Sequence, residues 1–95
     1  MANPRLSQIS ATAEDWGLSR PKHPGEDDRK RNLPAVATEL NSRLKLICNT
    51  AGSEKQARAE MREQFALFAR YGVPNPKADQ LLLTLVTKAF HPGKH

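Results

Sequence analysis

Residues 53–93 read SEKQARAEMREQFALFARYGVPNPKADQLLLTLVTKAFHPG, and the spacing of their apolar side chains decides the fold class. Ala57, Met61, Phe65 and Phe68 step by four and three, which places them on one face of a helix. Ser53 followed by Gln56 is a capping-box pair that starts this helix. Gly72 offers a left-handed position after it, Val73 is placed to touch Phe68, and Pro74 forbids continuation. Another helix then opens with Asn75 as its cap and Pro76 in its first turn, where the missing proline N–H costs nothing. Its apolar side chains are Ala78, Leu81, Leu82, Leu85, Val86, Ala89 and Phe90, and His91-Pro92-Gly93 stops it. Because Leu83 and Phe90 lie off the main stripe, this helix is apolar around more than half its circumference.

Working upstream, Val36, Leu40, Leu44 and Ile47 recur at helical spacing, with Leu33 one turn earlier. Asn32 is the expected cap, Pro34 falls in the first turn, and Asn49-Thr50-Ala51-Gly52 ends the run. No stretch alternates apolar and polar residues between turn signals. The expected class is therefore all-α: a small three-helix bundle over 33–95.

Residues 1–32 read differently. Large apolar side chains there are limited to Met1, Leu6, Ile9, Trp16 and Leu18, and none falls between Arg20 and Asn32. A stretch so poor in burial cannot offset its ordering entropy, so 1–32 is expected to be a flexible, disordered tail. One island interrupts it at 12–18. Thr12-Ala13-Glu14-Asp15 has the form of a capped helix start, followed by Trp16-Gly17-Leu18. Trp16 serves either to dock on a partner or to cover this protein's own core.

Ninety-five residues exclude a large enzyme and a multi-domain protein. The one cysteine, Cys48, rules out an intramolecular disulfide, fits a reducing compartment, and reads as a small buried hydrophobe on the first helix. No apolar run is long enough to span a bilayer, and Arg5 is followed by no apolar signal core. No membrane association is expected, and the chain reads as cytoplasmic. His23, His91 and His95 share no helical face with one another or with Cys48, so neither a metal site nor a nucleophilic arrangement is formed. Asp27-Asp28 beside Arg29-Lys30-Arg31 reads as a solvated charge run, and no glycine-rich phosphate loop occurs. No cofactor and no enzymatic activity are expected.

Charge is the remaining signal. Lys and Arg number 15 against 10 Asp and Glu, a net +5. Arg29, Lys30 and Arg31 form a basic cluster where tail meets body, balanced by Glu26-Asp27-Asp28. On the second helix Lys55, Arg58, Arg62 and Arg70 project within an arc of roughly 120°, away from the Phe65 face. Such a stripe can track phosphates and steer association, or serve as a solvated surface with local pairs such as Glu54 to Arg58. A helix-turn-helix reading would make the third helix the reader through Lys77, Gln80, Thr84 and Lys88. Leu81, Leu82 and Leu83 leave it little polar outer face, which argues against it.

One partial resemblance follows from Glu60-Met61-Arg62-Glu63-Gln64-Phe65-Ala66-Leu67, with Arg70 and Gly72-Val73 after it. This segment resembles lambda-type phage replication protein P, a family that loads a replicative helicase at an origin. Val36-Ala37, Asn41 and Pro92-Gly93 fall in comparable order, so the resemblance spans 36–93 with gaps. The chain is much shorter than that family and lacks its further region. The resemblance implies a role in phage or plasmid DNA replication or its control, alongside a protein of a nucleic-acid machine. The expected function is thus a small basic, non-enzymatic adaptor or regulator in a nucleic-acid process, with Arg29, Lys30, Arg31, Lys55, Arg58, Arg62, Arg70 and Trp16 as candidate contacts. The alternative is a protein-interaction module, such as an inhibitor of a host complex, acting through the third helix or Trp16, with a homodimer through the third helix as a further expectation.

Overall fold

The computed structural model describes residues 9–91. Among them the chain is helical, with no strand: α1 (Ala13–Trp16), α2 (Glu26–Lys30), α3 (Leu33–Thr50), α4 (Glu54–Leu67), a 3-10 turn (Ala69–Tyr71) and α5 (Pro76–Phe90). The sequence anticipates α3, α4 and α5. Each starts on a side chain that accepts a hydrogen bond from a backbone N–H that would otherwise be orphaned: Asn32 from Ala35, Ser53 from Gln56, and Asn75 from Ala78. The Ser53–Gln56 pair is only half a capping box. The Gln56 amide oxygen reaches back past Ser53 to the Gly52 N–H, at 3.2 Å.

The second predicted helix ends earlier than its periodicity suggests. Phe68 leaves the helical region, the 3-10 turn follows, and Gly72 takes a left-handed φ of 94°. Phe68, Tyr71 and Val73 are all buried there, so the tighter turn keeps successive apolar side chains on the core.

The core is one cluster. Val36, Leu40 and Leu44 of α3, Met61 and Phe65 of α4, and Leu82 and Val86 of α5 are fully enclosed. Cys48 is buried, as its helical position leads one to expect. Leu46, Leu67 and Leu83, which lie off the predicted faces, are 65%, 65% and 46% exposed. No helix among the described residues is long and apolar enough to cross a membrane.

Where the sequence reading expects a flexible tail over 1–32, residues 9–18 instead lie against the long helices, with α1 packed on both α3 and α5, while 20–27 stay largely on the surface. The physical reason is that a few side chains are buried completely rather than many partially. Ile9 and Trp16 are fully enclosed, and Trp16 meets Phe65 edge to face at 5.8 Å. Polar ties complete the docking. The Trp16 indole N–H donates to the Asn41 side chain at 3.0 Å, and Asn41 in turn donates to the Ala11 carbonyl at 2.9 Å. Asn75, while capping α5, also donates to the Trp16 carbonyl at 3.1 Å. The Ser19 N–H donates to the Tyr71 carbonyl at 2.8 Å. Residues 1–8 of the expected tail and the Pro92-Gly93 stop lie outside the described residues.

Candidate interaction surface

The basic residues do not behave as one set. On α4, Lys55 and Arg62 are exposed and make no ion pair among the described residues. Arg58, between them on the same flank, is drawn down to 27% side-chain exposure by an ion pair to Glu54 at 3.6 Å. Glu54 is shared, since the His91 imidazole at the end of α5 also contacts its carboxylate. Together Lys55, Arg58 and Arg62 occupy an arc of roughly 60° at 100° per residue. The opposite flank carries Gln56, Glu60 and Gln64, and Gln64 accepts from Arg43 of α3. The helix therefore turns its amide and acidic side toward α3 and its cationic side away from it.

Arg70 does not belong to that stripe. It lies beyond the end of α4 in the 3-10 turn, where the hundred-degree step no longer holds, and it pairs with Asp28 at 2.5 Å. The Arg29-Lys30-Arg31 cluster is likewise divided. Arg29 is exposed, Lys30 pairs with Glu26 one turn away at 3.5 Å, and Arg31 reaches Glu39 of α3. Glu39 also holds Arg43 at 3.0 Å, and the Arg43 guanidinium stands 5.2 Å over the Phe68 ring. Trp16, a candidate partner contact from sequence, is enclosed in the protein's own core and presents no surface to a partner in this fold.

Two residues stand out that the sequence reading passed over. Asp28, taken with Asp27 as solvated, is 4% exposed, while Asp27 remains on the surface. The Tyr71 hydroxyl donates to Asp28 Oδ1 at 2.6 Å, and the Gly25 N–H donates to Oδ2 at 2.8 Å. These bonds, with the charges of Arg70 and Arg31, hold the Asp28 carboxyl below the usual carboxylate range. The same bond, together with burial, pushes the Tyr71 hydroxyl above its ordinary value. No signal in a single sequence separates Asp28 from Asp27. The one pointer was Tyr71, a large side chain at a position where the helix period had lapsed.

Among the described residues no group of three or more His, Cys, Asp and Glu side chains is gathered to hold a metal ion. No protein-family model, no curated protein and no solved structure matches the chain.

Proposed function

We propose that this protein is a small, non-enzymatic adaptor or regulator in a nucleic-acid process in the cytoplasm, and that it contacts a polyanion through the cationic flank of α4. The observation that carries this reading is the pairing pattern. Ion pairs occupy Arg31, Arg58 and Arg70, whereas Lys55 and Arg62 face solvent and make no ion pair among the described residues, one turn either side of Arg58. A net charge of +5 supplies the long-range attraction that brings such a flank to a phosphate backbone. The resemblance to lambda-type replication protein P points toward DNA replication or its control as the process.

The test is the salt dependence of binding to a fluorescein-labelled duplex, read by anisotropy. Each neutralised phosphate contributes a slope of about −0.9 in log affinity against log salt. Contacts from Lys55, Arg58 and Arg62 should therefore give a slope of roughly −2 to −3. The double change Lys55→Glu and Arg62→Glu should abolish binding while circular dichroism stays unchanged, because both side chains are exposed and exposed substitutions cost about 0.5 kcal/mol or less each. A folded double variant that binds as well as the parent would overturn the reading. The exposed Leu67 and Leu83 favour a second reading, a protein partner or a second copy seated against α5. Its signature is association that does not weaken as salt rises.

A further inference from the structure

Burial of a carboxylate is costly unless charges and donors surround it, and Asp28 is surrounded. Its partners are the Arg70 guanidinium at 2.5 Å, the Tyr71 hydroxyl at 2.6 Å and the Gly25 N–H at 2.8 Å. Arg31, just beyond the end of α2, is paired with Glu39 and lends its charge to Asp28 and Tyr71 from the side. Leaving aside the Gly25 N–H, which belongs to the cap of α2 itself, guanidinium and phenol donors of this kind recognise a phosphate group. The site is not sealed, because the Arg70 and Arg31 side chains keep 55% and 41% of their surface in solvent.

Beyond these contacts the segment is tied by the Arg31–Glu39 pair and by Arg70, which donates to the His23 carbonyl at 3.4 Å. Asp28 is the only buried residue of α2, so no apolar side chain of that helix resists its release. Five residues are far too few to hold a helix in isolation. A phosphodiester carries one negative charge on two free oxygens, as the Asp28 carboxylate does. Exchanging one for the other leaves the charge of the site unchanged, so a phosphate group needs only to outcompete the local concentration of the tethered carboxylate.

We propose that Arg70, Arg31 and the Tyr71 hydroxyl form a phosphate-binding site that Asp28 fills from within the chain until a backbone phosphate displaces it. The proposal rests on the polyanion reading above and adds its regulation: α2 is a self-inhibiting acidic strap, and its release returns Arg70 to the cationic surface.

Asp28→Asn and Asp27→Asn raise the net charge equally, but only the first removes the negative charge that fills the site. Duplex affinity should rise about tenfold more for Asp28→Asn than for Asp27→Asn, and adding Arg70→Ala should remove that excess. Equal gains from the two asparagine variants, or a gain that survives loss of Arg70, would sink the proposal. A second measurement uses the unaltered protein. Inorganic phosphate, titrated against chloride at matched ionic strength, should shift the Gly25 and Arg70 amide resonances and leave those of α5 near Leu85 in place. Unmoved Gly25 and Arg70 signals count against the site even where the asparagine variant does not fold. The two readings fail separately. Phosphate shifts without duplex binding by the parent leave the site and remove the polyanion function. Duplex binding that is indifferent to Asp28 and to phosphate leaves the function and removes the site.

Discussion

Trp16 and Phe65 touch edge to face, yet they come from regions built on different principles. Phe65 belongs to α4, whose apolar residues repeat every third or fourth position and whose burial is shared among Ala57, Met61 and Phe65. Trp16 belongs to a four-residue helix in a segment with almost no repeat, and it is the largest of the few side chains there, Ile9 among them, that are fully enclosed. In the long helices structure follows from pattern. In the N-terminal segment it follows from one large side chain and a handful of directed hydrogen bonds. Low apolar content therefore measures how many contacts a segment makes, and says little about how firmly each one holds.

The largest effect with which to break this comparison is truncation of the two rings. Phe65→Ala should cost about 3–5 kcal/mol, the usual range for an aromatic removed from a packed core. If the N-terminal segment is as integral as its burial indicates, Trp16→Ala should fall in the same range, measured by urea denaturation. Such a loss consumes much of the ~5–15 kcal/mol that stabilises a typical domain. A cost below about 1 kcal/mol for Trp16→Ala would restore the reading of a dispensable tail.

The same contrast explains what was legible. Asn32, Ser53 and Asn75 could be recognised as caps because capping is a local event, settled within three residues of the cap. The helix start at Thr12–Asp15 was readable for the same reason, and it closes as a reciprocal box. Nothing local announces that Asn41 faces Trp16 and Ala11, or that Asp28 rather than Asp27 turns inward to Tyr71. These pairs are separated by 25, 30 and 43 positions, and only the packing of the helices brings them together. The cationic flank of α4 was legible where the helix continues, at Lys55, Arg58 and Arg62. It failed at Arg70, where the helix does not continue.

A smaller effect sharpens the comparison at two glycines. Gly17 joins the N-terminal segment to α5: its φ is +68°, and an added Cβ would stand 2.7 Å from the Asn75 side chain. Gly17→Ala should therefore destabilise by about 1–2 kcal/mol, from the left-handed backbone and the displaced cap together. Gly52, between α3 and α4, has no such constraint, and an added Cβ there meets only the Gln56 side chain at 3.4 Å. Gly52→Ala should be neutral, or stabilising by up to about 1 kcal/mol through the unfolded chain. Thermal melts of the two variants, compared with the parent, decide the matter. Equal behaviour would mean that the N-terminal segment bears no more on stability than an ordinary surface loop.

The smallest effect concerns a single hydrogen bond, between Asp28 and Tyr71, and its signature is pH dependence rather than size. Tyr71, then Gly25, Arg70 and Arg31, hold the Asp28 carboxyl below its ordinary value. Unfolded, that carboxyl titrates near 3.9. A carboxyl lowered by folding stabilises the folded state in full above that value, and the contribution is lost as pH falls through the folded one. For Tyr71 the direction is opposite. Its hydroxyl is raised by the bond to Asp28 and by burial. Its contribution is therefore full below about pH 10 and is lost as pH rises through the folded value. The bond is thus worth most on a plateau between about pH 5 and 9. Asp28→Asn replaces the charged acceptor by a neutral one at every pH, while the remaining titrating groups stay common to both proteins. The difference in denaturation midpoint between parent and variant should be constant across the plateau and shrink toward both pH 3 and pH 11. A difference that stays level down to pH 3 would mean that the buried carboxylate does not fasten the N-terminal segment. The polar side of the comparison would then rest on Asn41 and Asn75 alone.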